Sequence, residues 1–176
     1  CPYCDFNSHV NEKINVNDWI QSYKNQLFAM KEELIVNNIN FKHLDTIFFG
    51  GGTPSLMPLK IVESIIDISK EIFGFKKDIE ITLEANPSSY ESKKFIKFKQ
   101  IGINRISIGA QSLNNKYLEF LGRLHNIEDV KIALNDASEI FDNISVDLIY
   151  AFQGQKLNDW TSELESFLNT YNLQHL

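Results

Sequence analysis

The sequence predicts an α/β fold: a parallel sheet wound into part of a (β/α) barrel, incomplete at both ends. Short β-rich runs alternate with longer helical stripes along the whole chain, the pattern of strands joined by helical crossovers. Glycines, carboxylates and an amide stand where the β-rich runs stop. The chain begins at Cys1, inside a motif, and closes on Leu173-Gln174-His175-Leu176, which reads as the entry to a further strand.

Trp19, Ile20, Tyr23, Leu27, Met30 and Leu34 recur three or four apart and predict a first helix with this stripe buried. Residues 45–49, Asp45-Thr46-Ile47-Phe48-Phe49, form a β-rich run that stops at Gly50-Gly51-Gly52. Ile61, Ile65, Ile68 and Ile72 predict a second helix capped by Gly74. Residues 78–84 alternate as a strand does and stop at Asn86-Pro87. A helix over 93–100 turns Phe95 and Phe98 inward and ends at Gly102. Residues 104–109 give a third strand, with Gln111 where it ends. Val130, Leu134 and Ala137 mark a helix, residues 143–150 a fourth strand, and Trp160, Leu164 and Leu168 a last helix. Right-handed crossovers bring the C-terminal ends of parallel strands to one face, and in a (β/α) barrel that face carries the chemistry. Gly50 to Thr53, Glu84, Gln111 and Asp147 therefore converge on one rim.

At 176 residues, 43% hydrophobic and 23% charged, the chain suits one globular domain. A net charge of −6 with no basic block excludes the electrostatic footprint of a nucleic-acid binder and a polybasic membrane anchor. No apolar run approaches the roughly 20 residues that span a bilayer, and no basic-then-apolar leader opens the chain. These features read as cytoplasmic.

Cys1-Pro2-Tyr3-Cys4 contains both cysteines of the chain. The pair alone leaves four readings open: a redox dithiol, half of a zinc site, a structural disulfide, or part of an iron–sulfur ligand set whose other cysteines lie upstream. Gly50-Gly51-Gly52-Thr53-Pro54 lets a ligand approach backbone amides, or simply makes a tight turn. It lacks the lysine and hydroxyl of a P-loop and the spacing of a dinucleotide fingerprint. Glu84 offers a carboxylate at a strand end, whereas Asn86 before Pro87 reads as a turn initiator. Arg123, in Gly122-Arg123-Leu124-His125, has the fork to clamp a carboxylate. A lone arginine is more commonly solvated, and a loop histidine such as His125 is ordinarily neither ligand nor base.

In order, Cys-Pro-Tyr-Cys-Asp-Phe-Asn-Ser-His, Phe-Phe-Gly-Gly-Gly-Thr-Pro-Ser, Glu-Ala-Asn-Pro, Arg-Ile-Ser-Ile-Gly-Ala-Gln-Ser, Gly-Arg-Leu-His and Asp-Leu-Ile-Tyr resemble the radical S-adenosylmethionine (radical SAM) superfamily. Within it they resemble the group of heme chaperones and oxygen-independent coproporphyrinogen III oxidases, over nearly the whole chain. The resemblance implies a [4Fe-4S] cluster held by Cys-x-x-x-Cys-x-x-Cys, with Cys1 and Cys4 as its second and third ligands. S-adenosylmethionine then binds the open iron, and electron transfer from the cluster cleaves a carbon–sulfur bond to give a 5′-deoxyadenosyl radical. Gly51, Gly52 and Thr53 would meet its methionyl part, Glu84, Gln111 and Asp147 its polar groups including the ribose hydroxyls, and Arg123 its carboxylate. Tyr3 would pack beside the cluster or the adenine. Arg105 matches a family position too, but its mid-strand placement favours a structural role equally. No catalytic side chain is assigned.

Phe6 stands where the oxidases tend to carry another cysteine, so the resemblance favours a heme chaperone that delivers heme to respiratory proteins. The alternatives are the oxidase, acting on a porphyrinogen, and a non-catalytic remnant of a split gene. Residues 1–176 would be the core domain, with the first strand and a C-terminal domain lying outside them. Exposed sheet edges would then make this piece poorly soluble. One departure stands out: where the family usually reads Gly-Leu-Pro-Gly-Gln, the chain reads Ala151-Phe152-Gln153-Gly154-Gln155, which puts the usual loop geometry in doubt.

Overall fold

Every strand pairs with its neighbour in sequence. The structure, a computed structural model, describes residues 3, 4, 13–171 and 173–176. Its strands β1 (Leu44–Phe49), β2 (Phe75–Ala85), β3 (Arg105–Gln111) and β4 (Ile144–Leu148) lie in that order in one sheet, all parallel. Ser145 and His175 form an isolated parallel bridge outside these strands. The helices are α1 (Val16–Val36), α2 (Leu59–Phe73), α3 (Ser89–Ser92), α4 (Phe95–Gln100), α5 (Asn115–Phe120), α6 (Ile127–Ile140) and α7 (Leu157–Thr170). This is the expected α/β architecture, a parallel sheet with helical crossovers.

The register fixes which residues share a face. Glu84 lies opposite Ser107, and Ser107 opposite Ser145. With a side-chain period of two, Glu80, Thr82, Glu84, Arg105, Ser107, Ser145 and Asp147 therefore occupy one face. Ile81, Leu83, Ala85, Ile106, Ile108, Ala110, Ile144 and Val146 occupy the other, where they form the core with Ile61, Val62 and Ile65 of α2, Phe95 and Phe98 of α4, and Val130, Leu134 and Ala137 of α6. An all-parallel sheet is usually apolar on both faces because both are covered. Here one face is polar, so it lines space for something other than core.

Local chemistry sets the element ends. Gly74 closes α2 at φ 70°, donating its N–H to the Lys70 carbonyl at 2.9 Å. A Cβ there would sit 2.8 Å from His43 Nδ1. Gly102 follows α4 as expected. Asn126 and Asp129 form a reciprocal capping box at the start of α6.

Two helical stripes differ from expectation. Ile20, Tyr23, Leu27 and Leu34 of α1 are half-buried, but Trp19 and Met30 are 48% and 47% exposed. The reason is that α1 packs mainly on α2 and spans an apolar cavity of about 660 Å³ between itself, β1 and α2. Among the described residues β1 has a strand partner on one side only. In α7, Phe167 carries the burial at 0% exposure while Leu168 is 55% exposed. Arg105 opens β3 rather than sitting mid-strand, and pairs with Glu80 at 2.8 Å. No described helix is long and apolar enough to cross a membrane.

Candidate functional site

The C-terminal ends of β1, β2, β3 and β4 and the segments that follow the first three surround a small cavity of about 150 Å³. Tyr3, Cys4, Gly51, Gly52, Thr53, Glu84, Gln111, Arg123 and Asp147 all line it. Cys1 lies outside the described residues, as do Phe6 and its neighbours Asp5 to His9. Cys4 is exposed and not in a disulfide.

β1 delivers the glycine loop. Gly51 has φ 120°, a region that side chains rarely adopt, and a Cβ on Gly51 or Gly52 would meet nothing within 4 Å. The loop therefore faces open space, and its backbone is accessible to a ligand. Its inner side is tied to β2, because Gly51 N–H donates to Glu84 Oε2 at 3.2 Å. A Cβ on Gly109 of β3 would lie 2.9 Å from Gln111 Nε2, so that amide would have to shift, and 3.8 Å from Arg123 Nη2.

Two carboxylates reach the cavity, and among the described residues neither has a guanidinium or ammonium bonded to it. Desolvation pushes Glu84 above the ordinary carboxylate pKa; the Gly51 amide opposes this and the charge of Asp147 adds to it. Desolvation likewise raises Asp147, against the Ser107 hydroxyl, which donates to it at 3.2 Å, and the more distant Arg105. Asp147 is accessible from the cavity, but the sheet beneath it crowds out part of its hydration. Both groups would be better solvated by a cation or by hydroxyl donors.

Arg123 supplies the opposite charge. Nη2 donates to Asn86 Oδ1 at 2.7 Å and to the Gly109 carbonyl at 3.1 Å, and Nη1 donates to the Tyr3 hydroxyl at 3.2 Å. Asn86 is more than the turn initiator its Asn-Pro context suggests, since it lines the cavity and orients Arg123. His125 does not reach the cavity. It is 8% exposed, donates Nε2–H to the Ala110 carbonyl at 3.1 Å, and is held below the ordinary histidine pKa by burial.

The departing loop after β4 takes a glycine-like backbone at its first residue, which is alanine. Ala151 has φ 66°, and the Gln155 Oε1 accepts from the amides of Ala151 at 2.7 Å and Phe152 at 3.3 Å. Phe152 stacks on Tyr117 with centroids 4.6 Å apart, which anchors the loop to α5.

The family model of the radical SAM superfamily matches residues 1–166. The chain belongs to the radical SAM superfamily. Its relatives include the heme chaperone HemW of Buchnera aphidicola subsp. Acyrthosiphon pisum, 37% identical over 94% of this chain and 43% of that protein. The heme chaperone HemW of Escherichia coli K12 is 34% identical over 100% of this chain and 46% of its own. The mitochondrial radical S-adenosyl methionine domain-containing protein 1 of Dictyostelium discoideum is 36% identical over 96% of this chain and 41% of that protein. The chain thus spans less than half the length of these relatives. Among solved structures, coproporphyrinogen III oxidase HemN of Escherichia coli superposes with a TM-score of 0.76 at 24% identity, covering 94% of this chain and 38% of that one. That likeness concerns the fold.

Radical SAM proteins use a [4Fe-4S] cluster and S-adenosylmethionine; among the described residues no group of three or more His, Cys, Asp or Glu side chains could hold a metal ion, but the cavity offers donors and acceptors to the second. It has a thiol at its mouth, a glycine wall open to a ligand, two acceptors poorly solvated as anions, and one guanidinium. A cationic, zwitterionic amino acid bearing ribose hydroxyls matches that donor and acceptor set.

Proposed function

We propose that this chain is the radical SAM core, residues 1–176, of a HemW-like heme chaperone that delivers heme to respiratory proteins. What supports this reading above all is 37% identity, over 94% of the chain, to a protein that is itself a heme chaperone. Cys1 and Cys4 would ligate the cluster, with a third cysteine upstream, and Tyr3 would pack beside it or beside the adenine. Bound together, cluster and S-adenosylmethionine supply reductive carbon–sulfur cleavage. The chain's own part is placement. Glu84 accepts hydrogen bonds from the ligand's amino group and Asp147 and Gln111 from its hydroxyls, Arg123 meets its carboxylate, and Gly51, Gly52 and Thr53 offer backbone to its methionyl part.

Heme chaperone and porphyrinogen oxidase part company in one experiment. The full-length protein, reconstituted anaerobically, is given reductant, S-adenosylmethionine and coproporphyrinogen III, and separately heme with an apo-cytochrome acceptor. Heme transfer with no protoporphyrinogen IX is the expected result. Protoporphyrinogen IX formation would make the protein the oxidase. Cys4→Ala should lose the iron and sulfide of the cluster; a variant retaining both removes Cys4 from the ligand set.

A further inference from the structure

Glu91 belongs to none of the loops that line the cavity, yet it joins two of them. It sits in the single turn α3 and is 4% exposed. Its Oε2 accepts from the hydroxyl of Ser55, itself 0% exposed, and from the Asn86 backbone N–H at 2.8 Å. Its Oε1 accepts from Asn86 Nδ2 at 3.4 Å. Ser55 is two residues past Thr53, and its carbonyl accepts from Lys94 Nζ at 3.2 Å. The carboxylate of Glu91 therefore pins the far end of the glycine loop to the turn after β2.

The consequence for Arg123 follows from donor chemistry. Asn86 presents its amide nitrogen to Glu91 Oε1. Its oxygen then points the other way, to Arg123 Nη2 at 2.7 Å. The guanidinium only donates, so Glu91 on one side and Arg123 on the other together select one of the two orientations of the amide, whose ends are alike in shape. We propose that Glu91 is a positioning residue of the site: it shares in fixing the Asn86 amide so that Arg123 is held with its fork toward the cavity, and it sets the Gly51–Thr53 wall against that fork. This rests on the reading that the cavity takes S-adenosylmethionine with its carboxylate toward Arg123.

The test is a binding cycle on the full-length, cluster-reconstituted protein, reading the Kd of S-adenosylmethionine by calorimetry. Glu91→Gln is nearly isosteric but can donate, so it removes Glu91's share in orienting Asn86 and leaves Arg123 alone to hold the amide oxygen. It should weaken binding about tenfold, the effect of ~1.4 kcal/mol. Arg123→Ala should weaken it at least as much, and the double variant should be no weaker than Arg123→Ala alone within about threefold, because the two act through one contact. Should Glu91→Gln fail to fold, Asn86→Ala cuts the same relay while leaving the Ser55 tie in place, and should also cost about tenfold. A Kd within twofold of the parent in either variant, or fold-losses that multiply in the double variant, overturns the proposal. If the parent itself does not bind S-adenosylmethionine, it is the cavity assignment that fails.

Discussion

The polar face of the sheet holds carboxylates at both ends of its strands, Glu80 at one and Glu84 with Asp147 at the other, and they live under opposite electrostatics. At the N-terminal end Glu80 accepts from Arg105 at 2.8 Å, Asn143 at 3.2 Å and Thr82 at 3.3 Å, and these partners, Arg105 first, hold its pKa below the ordinary carboxylate value. At the C-terminal end Glu84 and Asp147 have one amide and one hydroxyl as their hydrogen-bond donors, and desolvation raises both. The same residue types on the same surface thus serve two ends. One set is satisfied within the fold and stabilises it. The other is left short of partners, which costs stability in the free protein and is recovered when a ligand supplies them.

The sharpest way to break this contrast is to neutralise the upper pair without changing shape. Glu84→Gln and Asp147→Asn keep the acceptors for Gly51 and Ser107. Each should weaken S-adenosylmethionine binding by about 10- to 100-fold, corresponding to ~1.4–2.8 kcal/mol, while leaving the apo melting temperature level or higher. Calorimetric titration and a melting curve test both halves; a variant that melts lower yet binds normally reverses the assignment. Arg105→Leu attacks the lower pair. It leaves Glu80 without its main partner and should cost ~1–3 kcal/mol of stability, with ligand affinity at pH 8 within twofold of the parent.

pH separates the two ends in opposite directions. Glu84 and Asp147 have raised pKa values, so between the ordinary and the raised value the folded state binds more protons than the unfolded state. Stability from these groups falls as pH rises through that window and is flat above it. Glu80 is lowered, so its contribution is present above the ordinary carboxylate pKa and is lost as pH falls through the folded value. In the proposed site, S-adenosylmethionine would be held by the ionised forms of the upper pair. Its affinity should therefore decline as pH drops into the window just above the ordinary carboxylate range. An affinity flat down to the ordinary carboxylate range would show that neither group binds as an anion. The smallest effect concerns Ala151: Ala151→Gly relieves a left-handed backbone and should add ~1 kcal/mol, seen as a higher melting temperature, with Phe152 still stacked. A lower melting temperature would mean that the loop carries no such strain.

Much of this was legible in the sequence because punctuation marks both the strands and their ends. Gly50-Gly51-Gly52 and Asn86-Pro87 stop β-rich runs, and period-two alternation in residues 78–84 puts Glu84 on the polar face and Leu83 in the core. What escaped depends on contacts between segments. Asn86 reads as a turn residue, and nothing local reveals that Arg123, many residues later, needs its oxygen. Glu91 follows Ser88 at the spacing of a capping box, and the Ser88 hydroxyl does accept from the Glu91 amide at 3.3 Å, but the carboxylate reaches Ser55 and Asn86 instead. Arg105 was misplaced within its strand because β3 runs from Arg105 to Gln111, later than the apolar pattern alone suggests. Trp19 and Met30 share the spacing of a buried stripe, yet α1 meets a cavity where the pattern expects packing.

The order of the strands also bears on how the protein is made. Because the sheet runs β1-β2-β3-β4 in chain order, each strand leaving the ribosome finds its neighbour already synthesised, one crossover helix behind it. Contacts form by addition of successive β/α units, without waiting for a distant segment, which keeps loop-closure entropy low for a parallel sheet. The side chains that line the cavity come from units spread from Tyr3 to Asp147, so the cavity is complete only when β4 has docked. Vectorial folding thus builds the scaffold first and the site last.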